Sequence, residues 1–118
     1  MLYTNLKHLE SAEDHKIALS ENENVMVICG RMGPMCVPVY VIAETLEEEY
    51  SHVKFYDMEF DNPESSVIRS LPEVVGFKGT PLTIYYKSGK VVRATARIQT
   101  RKQVEAILNE EFSPLIKA

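Results

Sequence analysis

Segments dense in apolar residues alternate along the chain with segments whose apolar residues return every three or four positions. Leu6 to Leu9 predicts a short edge strand. Ser11 then stands as an N-cap, with Glu13 and Asp14 in a first helical turn where the helix dipole favours negative charge. Ile17 and Ala18 are placed on the apolar side of this helix, which ends near Ser20, and Asn22 to Asn24 form a turn. The unbroken run Val25-Met26-Val27-Ile28-Cys29 predicts a strand buried on both faces. Two glycines and a proline make Gly30 to Pro34 a loop. From Cys36 onward Val39, Ile42, Ala43, Leu46 and Tyr50 trace a helical stripe, with Glu44, Glu47, Glu48 and Glu49 mostly on the other side. Pro38 falls in or just beyond the first turn of that helix.

Val53 to Phe60 predicts another strand, and Asn62-Pro63 a helix start for a short helix carrying Val67, Ile68 and Leu71 and stopping before Pro72. A loop from Glu73 to Thr80 leads to the strand Leu82 to Tyr86. Lys87-Ser88-Gly89-Lys90 is a hairpin turn, and Val91 to Ile98 returns beside the preceding strand. Thr100 opens the last helix with Gln103 completing a capping box, and Val104, Ile107, Leu108 and Phe112 form its apolar stripe. The order β-α-β-α-β-α-β-β-α implies an α/β fold: parallel crossovers plus a terminal antiparallel hairpin, hence a mixed sheet with helices on both faces.

Composition narrows the picture. The chain has 118 residues, 45% hydrophobic and 25% charged, as a globular protein has, and it reads as one domain without repeats or linkers. A formal charge of -4, with Lys and Arg spread along the chain, argues against a nucleic-acid partner. No apolar run approaches the roughly 20 residues of a membrane span. Polar residues interrupt the N-terminal segment where a signal peptide needs an apolar core, so a cytoplasmic location is the expectation.

Two cysteines do not make a disulfide framework, so their positions carry the interest. Cys36 is placed at a helix N-terminus, where outward N–H groups favour a thiolate, and Arg31 lies in the same loop. Cys29 ends an apolar strand. Either residue reads as a reactive thiol or as a small apolar side chain. Six residues separate them, enough to fold back to the roughly 7 Å that a disulfide requires between Cα atoms. Met32 and Met35 flank Gly33-Pro34 and read as adaptable apolar contacts or as gap-fillers, and a soft-metal set with the cysteines is a minor alternative. His8, His15 and His52 share no ligand-like spacing and read as solvated.

These residues carry a resemblance to the thioredoxin family over nearly the whole chain. The buried strand running into a Gly-Pro loop and a helix (Val25 to Tyr50), the strand and turn of Phe55 to Pro63, the segment Gly79-Thr80-Pro81-Leu82-Thr83 and the turn Lys87-Ser88-Gly89 all resemble family motifs, in order. The departure lies at the loop, which reads Gly30-Arg31-Met32-Gly33-Pro34-Met35-Cys36, in a chain without Trp. Alignment on the helix stripe puts Cys36 on the family's second cysteine, and the family's buried strand acid falls at Met26. The resemblance implies a cis Pro81, a Thr80 whose backbone meets an extended partner chain, and a substrate surface that includes Met32, Gly33, Pro34 and Met35. It implies thiol–disulfide oxidoreductase activity on protein disulfides, with Cys29 and Cys36 as the catalytic pair. Electrons would come from a thioredoxin-reductase-type donor, with no bound cofactor. Two alternatives stand beside it: a redox-inactive module binding extended peptides, and a single-thiol enzyme in which Cys36 works with glutathione.

Overall fold

In the computed structural model, which describes residues 2–112, each apolar run becomes a strand and each stripe a helix. The elements are β1 (Lys7–Leu9), α1 (Ala12–Glu21), β2 (Asn24–Gly30), α2 (Val37–Glu49), β3 (Lys54–Glu59), a 3-10 turn (Pro63–Ser65) running into α3 (Ser66–Arg69), β4 (Leu82–Lys87), β5 (Lys90–Ala96) and α4 (Arg101–Glu111). The five strands form one mixed sheet in the order β1-β3-β2-β4-β5. β1 and β2 run parallel to β3, while β4 is antiparallel to both β2 and β5. β2 occupies the centre because its side chains are apolar in both directions, the one pattern that tolerates helices on either side.

Side chains alternate across β2. Val25, Val27 and Cys29 pack with Ala18 of α1 and Ile68 of α3, whereas Met26 and Ile28 pack with Val39, Ala43 and Leu46 of α2 and with Leu108 of α4. Local chemistry ends each element where the sequence suggests. Ser11 accepts from the Asp14 N–H and Asn62 from the Glu64 N–H, and Thr100 and Gln103 form a complete capping box. Ser88 and Gly89 both have positive φ, 53° and 80°, the conformation that lets a two-residue turn follow the strand twist. Pro38 lies in the first turn of α2, where its missing N–H breaks no helical bond, so the helix runs on unbroken.

Two expectations change. Ile17 is exposed, and His15 is buried in its place, its Nε2 2.9 Å from the Tyr86 hydroxyl. Positions 15 and 18 share the inward stripe of a ten-residue helix, and position 17 falls outside it. Burial lowers the pKa of this imidazole. Gly30, expected in the loop, is instead the last residue of β2. No helix among the described residues is long and apolar enough to cross a membrane.

Candidate functional site at the β2–α2 junction

The loop from Arg31 to Cys36 leaves the sheet beside β4 and is wound into α2 by Gly33, whose carbonyl accepts the N–H groups of Cys36 and Val37 at 3.1 and 2.9 Å. Cys36 therefore occupies the position just before the helix, and its Sγ accepts the Arg31 N–H at 3.3 Å. Gly30 makes this approach feasible. A Cβ there would stand 2.7 Å from the Tyr40 hydroxyl, 2.9 Å from Cys36 Sγ and 3.0 Å from Pro81 Cβ. Strand, loop, helix and the Pro81 segment thus converge on one glycine. The Thr80–Pro81 peptide bond is cis. Gly79, with φ of 90°, lies across the side chain of Arg97, which holds the segment by donating from Nε to the Lys78 carbonyl at 3.0 Å. The Arg97 N–H donates to the Pro81 carbonyl, while the Thr80 backbone makes no hydrogen bond among the described residues.

The expected Cys29–Cys36 couple is not assembled. Both thiols are free and buried, and they belong to different sides of the sheet. Cys29 follows Val25 and Val27 in the two-residue alternation of β2, so its side chain is directed away from the face that α2 and Cys36 cover. Burial pushes the Cys29 thiol up to about 12, against smaller opposing effects of Ser65 and Arg69. The same separation splits the soft-metal set of Met32, Met35, Cys36 and Cys29.

Met32 and Met35 are exposed, at 41% and 40%, and the Met32 sulfur accepts the Tyr3 N–H at 3.4 Å. Beside the Pro81 segment lies an open cleft of about 300 Å³, lined by Arg31, Phe60, Arg69, Val75, Phe77 and Thr80 among others. Arg31 forms a two-point ion pair with Asp61, both contacts at 2.9 Å.

Sequence reasoning missed Asp57. It is fully buried at the centre of β3, on the same face as Ile28, where it accepts the Thr4 hydroxyl and lies 2.6 Å from His8 Nδ1. Burial raises its pKa, and the Thr4 and His8 contacts oppose the rise. The alternation in β3, which puts Phe55 and Asp57 on one face, carries the signal for this buried acid. The hydroxyls of Tyr40, Thr83 and Tyr85 are buried on that face too, without a partner among the described residues.

No family model matches the sequence, and no curated protein does either. Among solved structures, thioredoxin from Plasmodium falciparum superposes with a TM-score of 0.75 at 19% identity, covering 90% of this chain and 99% of that one. Thioredoxin f2 of Chlamydomonas reinhardtii gives 0.76 at 16% identity, covering 93% and 99%. A mutant thioredoxin of Halobacterium salinarum gives 0.75 at 16%, covering 99% and 100%. At these identities the likeness establishes the architecture: the chain has the thioredoxin fold.

Proposed function

We propose that this thioredoxin-fold chain is a thioredoxin-like protein that acts on other proteins by holding an extended segment against Thr80, Pro81 and the Met32–Met35 loop, without a dithiol–disulfide cycle of its own. The placement of the two thiols carries the reading. Closing a disulfide between Cys29 and Cys36 would require one side chain to leave its face of the sheet, disturbing the end rungs that Cys29 makes with Met58 and Leu82. Exposed apolar groups at the same edge, Met32, Met35, Val75 and Phe77, offer contact area for a partner, and the open Thr80 backbone offers hydrogen bonds. A dithiol reductase-type electron donor is needed only by the two-thiol reading.

A second reading is favoured by one observation, the Arg31 N–H aimed at Cys36 Sγ at the start of α2. In this single-thiol cycle the Cys36 thiolate attacks a partner disulfide, one sulfur–sulfur bond forms as another breaks, and the departing thiolate takes a proton. A glutathione thiolate then attacks the mixed disulfide, leaves glutathione joined to the partner or to Cys36, and a second glutathione releases it as the oxidised dimer.

Counting free thiols by mass across a series of dithiol redox buffers separates the readings. The binding module keeps both thiols at oxidising potentials. Intramolecular loss of two hydrogens would overturn it and restore the Cys29–Cys36 couple. Under the single-thiol reading, oxidised glutathione adds one glutathionyl group; this adduct survives Cys29→Ser and disappears with Cys36→Ser.

A further inference from the structure

The cleft beside the Pro81 segment differs in charge from the rest of the molecule. The chain carries 17 acidic and 13 basic side chains. Four of the basic ones, Arg31, Arg69, Lys78 and Arg97, belong to this cleft or to the segment that frames it. Arg31 is offset by Asp61. Among the described residues Arg69 donates only to neutral oxygens, Ser65 Oγ at 2.6 Å and the Pro63 carbonyl at 3.3 Å. Among the described residues no carboxylate forms an ion pair with Arg69, Lys78 or Arg97.

The guanidinium groups of Arg31 and Arg69 also share one support, the Phe60 ring, at 4.9 and 5.7 Å from its centroid. A ring beneath an arginine holds the guanidinium plane in place. Arg31 already uses Nε and Nη2 on Asp61, and Arg69 uses the same two nitrogens on Ser65 and Pro63. The Nη1 side of Arg69 is what remains for an acceptor among the described residues. The cleft lining also carries exposed apolar groups, Val75 at 69% and Phe77 at 41%, and Thr80 contributes backbone groups without a hydrogen bond among the described residues. Cationic edge, apolar lining and open backbone together describe a receptor for an extended chain with alternating acidic and apolar side chains.

We propose that the partner segment held beside Pro81 is acidic, with carboxylates directed to Arg69 and Lys78 and apolar side chains laid on Val75 and Phe77. This inference rests on the partner-binding reading above and gives that reading a specificity. The net negative charge elsewhere repels such a segment, so the complementary field guides it to this edge. A nucleic acid would also seek cations, but the exposed Val75 and Phe77 side chains and the backbone groups of Thr80 suit a polypeptide.

The test uses fluorescein-labelled decapeptides in which Val alternates with Glu, with Gln or with Lys, measured by fluorescence anisotropy and by amide shift mapping at Phe77 and Thr80. The Glu peptide binds about tenfold more tightly than the Gln peptide at low salt, and the advantage shrinks as salt rises. Lys78→Glu, at an exposed side chain with no bond among the described residues, lowers Glu-peptide affinity about fivefold and leaves the Gln peptide unchanged. Equal affinity for the Glu and Gln peptides overturns the acidic preference and leaves partner binding standing. Failure of all three peptides to bind overturns both. Oligothymidylate that displaces the Glu peptide and binds as tightly assigns the cleft to nucleic acid and overturns the proposal.

Discussion

On the α1/α3 side of the sheet, Cys29 sits among Val25, Val27, Met58, Ile68 and Ile84, and the buried His15 ring is matched by the Tyr86 hydroxyl. On the α2/α4 side, Cys36 shares the interior with the buried carboxylate of Asp57 and with the hydroxyls of Tyr40, Thr83 and Tyr85. Both sides are buried, but their polar content differs. On the first side the buried His15 and Tyr86 side chains satisfy each other, and among the described residues the face reads as packing. The second keeps costly groups, each unpaired hydroxyl worth about 1–3 kcal/mol of desolvation, close to the junction where strand, loop, helix and cis proline meet. A cysteine means something different on each side: an inert filler on one, the only thiol at the loop on the other.

The largest effect comes from forcing that junction apart. Gly30→Val would drive a side chain into Tyr40, Cys36 and Pro81, and should lower unfolding free energy by about 3 kcal/mol in urea titration. A change below about 1 kcal/mol would show that the convergence on Gly30 is loose. Next in size is an alkaline effect belonging to the other side. The folded protein holds Cys29 as a thiol up to about pH 12, while the unfolded thiol ionises near 9.0, so folding retains a proton that the unfolded chain loses. This contribution is complete below about pH 9 and declines above it by roughly 1 kcal/mol per pH unit. Cys29→Ala should flatten that part of the stability profile; an unchanged slope would mean that Cys29 titrates as an exposed thiol.

The smallest effect is the sharpest comparison. Tyr86→Phe removes a hydroxyl paired with His15 and should cost about 1 kcal/mol, whereas Tyr40→Phe removes a hydroxyl without a partner among the described residues and should be neutral or stabilising by about 1 kcal/mol. Equal losses in the two variants, measured by chemical denaturation, would erase the distinction between the faces.

Elements set by local chemistry were legible in the chain. The Val25–Cys29 run, the Ser88-Gly89 turn, the Thr100–Gln103 capping box and the stripe of α4 each obey rules that act within a few residues. The thiol geometry was legible only in part. Counting by twos along β2 assigns Cys29 to the face of Val25 and Val27, but nothing local to Cys36 says that α2 covers the face of Met26 and Ile28. That choice follows from the crossover, a property of the whole sheet. The cleft was harder still, since Arg31, Arg69, Lys78 and Arg97 are spread over 67 positions, from 31 to 97 inclusive, and look evenly distributed until the chain folds.

The sheet order also dictates an order of entropic cost. The β4–β5 hairpin closes a gap of three positions, Lys87 to Lys90, whereas β1 pairs with β3 across 49, Lys7 to Tyr56. By the logarithmic law of ring closure, the second loop costs roughly 2 kcal/mol more than the first, and only three residues of β1 repay it through their ladder. The edge strand is therefore the part of the sheet least able to hold itself in place. Its attachment rests on Leu6 and Leu9 in the two cores and on the grip of Asp57 upon Thr4 and His8, a latch on the slackest part of the chain.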